Sequence, residues 1–154
     1  MKMNKTQLDA IYQRAEEYYY GKNGKKSDTA KALELYRQAA EQGHAEALYE
    51  LGAALKMPGE YQNTREAVQW LRKAAEQGVA VAQYNLGLCY VDGKGVAKNA
   101  EEAVKWYRLA AEQGHAMAQN NLGGCYANGS GVEKNAEEAV KWCRLAAEQG
   151  HAMA

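Results

Sequence analysis

KNAEEAVKWYRLAAEQGHAMA, residues 98–118, returns as KNAEEAVKWCRLAAEQGHAMA at residues 134–154, with Tyr107 exchanged for Cys143 as the single difference. The string AAEQG inside it occurs four times, ending at Gly43, Gly78, Gly114 and Gly150, at intervals of 35, 36 and 36 residues. Trp70, Trp106 and Trp142 keep the 36-residue step. A period of this length marks a tandem array of one supersecondary unit, in which no copy can bury its apolar face alone. Four units result, at about residues 5–43, 44–78, 79–114 and 115–150, with a partial unit at 151–154, together one domain spanning 1–154.

Each unit reads as two helices. In the third, helix A runs from about Ala80 to Val91, the glycine-rich DGKGVAKN makes the turn, and AEEAVKWYRLAAEQ forms helix B. Asn63 with Glu66, Asn99 with Glu102 and Asn135 with Glu138 have the spacing of a capping box. Gly114 stands where a helix end needs a positive φ. Ala103, Trp106 and Ala110 recur at three- and four-residue steps and share one face. Gly87 and Gly123, inside helix A, cost helix propensity of about 1 kcal/mol each relative to alanine. That cost makes sense if a neighbouring helix lies against the backbone there. HAMA at 151–154 restarts helix A and stops, so helix B of the fourth unit, residues 136–149, is expected to expose an apolar strip around Val140 and Ala147.

Ala82, Leu86, Gly87, Tyr90, Gly93, Gly95, Val96, Ala103, Trp106, Ala110, Ala111 and Gly114 follow an order that resembles the Sel-1-like repeat. Ala118, Leu122, Gly123, Tyr126, Gly129, Gly131, Val132, Ala139 and Trp142 repeat it. The resemblance implies an all-α fold, an α/α superhelical solenoid of tandem helix–turn–helix repeats related to tetratricopeptide arrays. It also implies an adaptor role and a bacterial source. The second unit departs from it with MPGEYQN in place of G-x-G-V. In the first, Ala15 and Glu16 stand where Leu and Gly are expected, as suits a capping unit. A cysteine-rich, secreted branch of the family ties each helix pair with a disulfide, whereas this chain has alanines, such as Ala111 and Ala116, at those places.

Lysine plus arginine and aspartate plus glutamate balance at 19 each, which argues against nucleic acid or an anionic membrane as the main partner. No stretch approaches the roughly 20 apolar residues of a membrane span, and the N-terminus lacks a signal-peptide core. A cytoplasmic location follows. Cys89, Cys125 and Cys143 are odd in number and lack C-x-x-C spacing, so they read as free, packed thiols.

His44, His115 and His151 occupy equivalent places in successive repeats, about one helix diameter apart at roughly 10 Å, too far for a shared metal whose ligands lie within about 2 Å. GKNGKKS, residues 21–27, fails the phosphate-loop spacing, and DGKGVAKN and NGSGVEKN lack the acidic ligands of a calcium loop. No nucleophile–base–orienter set is apparent. The sequence therefore predicts a non-enzymatic protein with no cofactor and no metal.

In tetratricopeptide arrays helix A lines the concave groove. Counting from Leu51, Leu86 and Leu122, the groove positions are Tyr49, Tyr84 and Asn120; Glu50, Asn85 and Asn121; and Ala53, Leu88 and Gly124, with Val81 and Met117 one turn earlier. The partner expected there is a protein or peptide. Tyr84 and Leu88 could instead pack between repeats. Asn85 and Asn121 are harder to place in a core, because buried amides need partners. An inhibitor or immunity protein that occludes an enzyme or toxin is the alternative to an adaptor.

Overall fold

The computed structural model describes residues 2–153, and the side chains of residues 2–150. Among the described residues the regular structure is helical throughout: α1 Lys5–Tyr20, α2 Thr29–Glu41, α3 Ala45–Lys56, α4 Thr64–Glu76, α5 Ala80–Asp92, α6 Ala100–Glu112, α7 Ala116–Asn128 and α8 Ala136–Met153. Each repeat is a helix A and a helix B packed on each other. The chain divides into two compact units, Met1–Gln77 and Gly78–Ala154, of two repeats each. Within the first, α2 also packs on α3, and within the second α6 packs on α7. This is the expected all-α architecture of stacked helix pairs.

Alanine makes the close packing possible. Ala39, Ala74 and Ala110 on helix B, and Ala47, Ala82 and Ala118 on helix A, are each at most 0% exposed. Within their helix pairs the helix A glycines are points of close approach. A Cβ on Gly52 would lie 2.8 Å from Leu71, one on Gly87 2.7 Å from the Tyr107 ring, and one on Gly123 2.5 Å from Cys143 Sγ. The body against each glycine is thus a side chain of helix B in the same repeat, always from the same repeat position.

The caps follow the sequence in part. Asn63, Asn99 and Asn135 accept the backbone N–H of Glu66, Glu102 and Glu138 at 3.1 Å. The return half of the capping box is not formed at these three. The N-cap N–H groups donate instead to Leu55, Tyr90 and Tyr126 at the end of the preceding helix A. With that donor satisfied, Glu66 turns to Arg37 and to Trp70 Nε1. The reciprocal box forms at α1, between Asn4 and Gln7. Gly43, Gly78 and Gly114 take φ of 85°, 93° and 93°, the left-handed turn that separates helix B from the next helix A.

Two expectations need correction. Helix B of the fourth repeat does not end at 149 but runs on through Gly150 to Met153. In the other repeats the glycine turn is held by the N-cap of a following helix, at His44, Val79 and His115. No such helix follows α8 among the described residues, and α-helical hydrogen bonding continues. Val140 is 54% exposed and Ala147 is exposed. The second correction concerns the first repeat. Tyr12, Tyr36 and His44 cluster as Tyr84, Tyr107 and His115 do. This match puts Ala15, fully buried, at the glycine position and Arg14, exposed, at the leucine position. The chain between the two tyrosines is one residue longer in the first repeat, which hides the register from a count along the sequence.

Candidate functional site

The anticipated groove positions divide between the units: Tyr49 and Glu50 on α3 of the first, then Val81, Tyr84, Asn85 and Leu88 on α5 and Met117, Asn120 and Asn121 on α7 of the second. In the second unit Val81, Tyr84, Asn85, Leu88 and Asn121 are half-buried, Asn120 is exposed and Met117 is 60% exposed. None is sealed in the core.

His115 organises this face. Its Nδ1 accepts the Ala118 N–H at 3.2 Å and so caps α7. Its ring stacks on Tyr84, with centroids 4.8 Å apart. Burial holds the imidazole below its usual range. Tyr84 lies 6.0 Å from Tyr107, whose ring covers Gly87. Burial pushes the Tyr107 phenol up to about 12, while a hydrogen bond from the Asn121 side chain acts the other way. Asn85 Nδ2 donates to the Val81 carbonyl at 2.8 Å. The two amides therefore have the internal partners that half-buried amides need. Between α7 and α8 a cleft of about 330 Å³ opens among Met117, Asn120, Asn121, Cys143, Ala146 and Ala147.

In the first unit the structure adds residues that the count missed. Tyr12 stacks on His44 at 5.1 Å, and His44 caps α3 through Nδ1 while its Nε2 meets Asp9 at 2.8 Å. Tyr36 donates its hydroxyl to Glu16. Glu50 is half-buried nearby; burial first, and then the Glu16 carboxylate, push its carboxyl up. The signal was available in the sequence: the spacing from Tyr36 to His44 repeats from Tyr107 to His115. A second cleft of about 680 Å³ lies among Lys2, Met3, Gln42, Leu48, Lys73 and Gln77, and neither Tyr49 nor Glu50 lines it.

His44 and His115 use a ring nitrogen as helix caps, which accounts for them without a metal; the side chain of His151 lies outside the described residues. Among the described residues no group of three or more His, Cys, Asp or Glu could hold a metal ion. Cys89 is buried, Cys125 half-buried and Cys143 exposed, and none of the three is in a disulfide. No helix among the described residues is long and apolar enough to cross a membrane.

The Sel1 repeat model matches residues 8–44, 45–79, 80–115 and 116–151, nearly the whole chain. The chain belongs to the Sel1 repeat family. Sel1 repeat proteins are typically scaffolds for protein–protein interaction. Solved structures agree with the assignment. A protective antigen of uropathogenic Escherichia coli strains, displaying an SLR fold, is 39% identical, with a TM-score of 0.87, over 96% of this chain and 34% of its own. A Sel1 repeat protein from Oxalobacter formigenes is also 39% identical at a TM-score of 0.87, over 93% of this chain and 59% of its own. This Sel1 chain thus spans less than two thirds of the length of either. The immunity protein Pa5087 from Pseudomonas aeruginosa is 29% identical at a TM-score of 0.58, over 93% of this chain and 53% of its own. Compared with curated proteins, the Sel1 sequence has no significant match.

Proposed function

We propose that this Sel1 repeat chain acts as one domain, a non-enzymatic bacterial adaptor in the cytoplasm, and that it holds a protein or peptide on its helix A faces. The partner would meet Tyr49 and Glu50 on the first unit and Val81, Tyr84, Asn85, Leu88, Met117, Asn120 and Asn121 on the second. The observation that supports this reading is the state of Met117 and Asn120. A large apolar side chain 60% exposed and an exposed amide, both lining one cleft, offer contact area and backbone hydrogen bonding to a partner. Balanced charge favours a protein over nucleic acid. Affinity purification from the native cell, with wild type beside a Met117→Asp, Asn120→Ala variant, tests the reading. One dominant partner should be recovered by wild type and lost by the variant at an unchanged melting midpoint. Equal recovery by both would move the site to another face.

The similarity to an immunity protein supports a second reading, in which the bound protein is a toxin that this chain occludes. Rescue of growth on co-expression with a toxin from the same cell would select it, and an adaptor would give no rescue.

A further inference from the structure

We propose that the cleft between α7 and α8 receives an aromatic side chain, a tyrosine or phenylalanine, from the protein partner. This rests on the groove reading above and names the chemistry of one of its contacts.

The chain shows what fits there, because it fills the corresponding space itself in other repeats. Over the helix A glycine, the helix B position holds Leu71 at Gly52, Tyr107 at Gly87 and Cys143 at Gly123. Leu71 is 0% exposed and Tyr107 2%, whereas Cys143 is exposed. In the third repeat the Tyr107 ring is joined by Tyr84, with centroids 6.0 Å apart. The first repeat builds the same pair from Tyr12 and Tyr36, 5.9 Å apart. The fourth repeat has Asn120 at the place of Tyr84 and Cys143 at the place of Tyr107. Both rings are missing together, and a cleft of about 330 Å³ stands there, within the range of sites that hold small ligand groups.

The lining suits a ring. Ala116, Ala146, Ala147 and Cys143 supply small, largely apolar lining. Met117 also lines the cleft and is 60% exposed, and methionine sulfur makes favourable contacts with aromatic rings. Asn120 and Asn121 add amides to the lining, and Asn121 already serves one tyrosine hydroxyl, that of Tyr107. The two repeats that fill this space with a pair of side chains use rings for both, Tyr12 with Tyr36 and Tyr84 with Tyr107, so a ring and not an aliphatic chain is the expected occupant.

The test is nuclear magnetic resonance titration of the full chain with three capped pentapeptides, glycine at four positions and tyrosine, leucine or serine at the centre. The tyrosine peptide should move the Met117 methyl upfield by ring current and shift the Asn120 side-chain amide, with leucine and serine at least tenfold weaker. The variant Cys143→Tyr fills the slot from within; it should raise the melting midpoint and weaken the tyrosine response about tenfold or more. Equal responses to tyrosine and leucine, no response at Met117, or an undiminished response in Cys143→Tyr would each overturn the inference. The partner capture described above is scored separately. If capture depends on Met117 and Asn120 while the tyrosine peptide fails, the groove reading stands and only the aromatic contact falls.

Discussion

His115 Nδ1 accepts the backbone N–H of Ala118 at 3.2 Å, so the imidazole must be neutral at that nitrogen to cap α7. Burial also disfavours its charged form. The unfolded chain therefore binds a proton at this position, near pH 6.5, before the folded chain does. Stability should fall as pH drops through about 6.5 toward the lowered folded value. His115→Asn keeps a cap acceptor without a titrating group. Urea midpoints at pH 7.5, 6.5 and 5.5 should show a shallower decline for the variant. Parallel declines would mean that His115 does not contribute.

Adjacent glycines on α7 should respond to alanine with opposite signs. A Cβ on Gly123 would meet Cys143 Sγ at 2.5 Å and the Ala139 carbonyl at 3.1 Å, while one on Gly124 would meet nothing within 4 Å. Gly123→Ala should destabilise by about 1–3 kcal/mol through overpacking. Gly124→Ala should stabilise by about 0.5–1 kcal/mol through helix propensity. Chemical denaturation of the two variants measures both, and equal signs would contradict the packing.

Asn121 and Asn85 should separate in the same assay. Asn121→Ala leaves the hydroxyl of Tyr107, a residue only 2% exposed, without its amide, and should cost about 1–2 kcal/mol. Asn85 donates to the Val81 carbonyl of its own helix, so Asn85→Ala should change stability by less than about 0.5 kcal/mol. Identical midpoints for the two would remove the Tyr107–Asn121 bond from the account.

Glu50→Gln should stabilise the protein at pH 7.5. Burial and Glu16 raise the Glu50 carboxyl, so its ionised form carries a penalty above the folded value. That penalty disappears below the unfolded value of 4.5, where both states are protonated. The melting midpoint of the variant should exceed that of wild type at pH 7.5, and the two should converge near pH 4. A lower midpoint at pH 7.5 would show that the carboxylate is bound by an internal donor.

The sequence by itself determined the repeat, the helix pairs, the asparagine caps and the crowding at Gly87 and Gly123. All of these are periodic or local, and the chain states each of them more than once. It did not determine the register of the first repeat, where one extra loop residue moves Ala15 into the glycine position. Nor did it give the partners of Asn85 and Asn121, since an amide's partner depends on which side chain crosses to it. Tyr12 was masked by that same extra residue, although the spacing from Tyr36 to His44 was legible. Val104 and Val140 make the division plain: they occupy the same place in near-identical repeats, yet Val104 is 6% exposed and Val140 54%. Local sequence is the same at both. Burial is decided by whether another helix packs over the site, as α7 does over α6, and that neighbour is set by the tertiary structure alone.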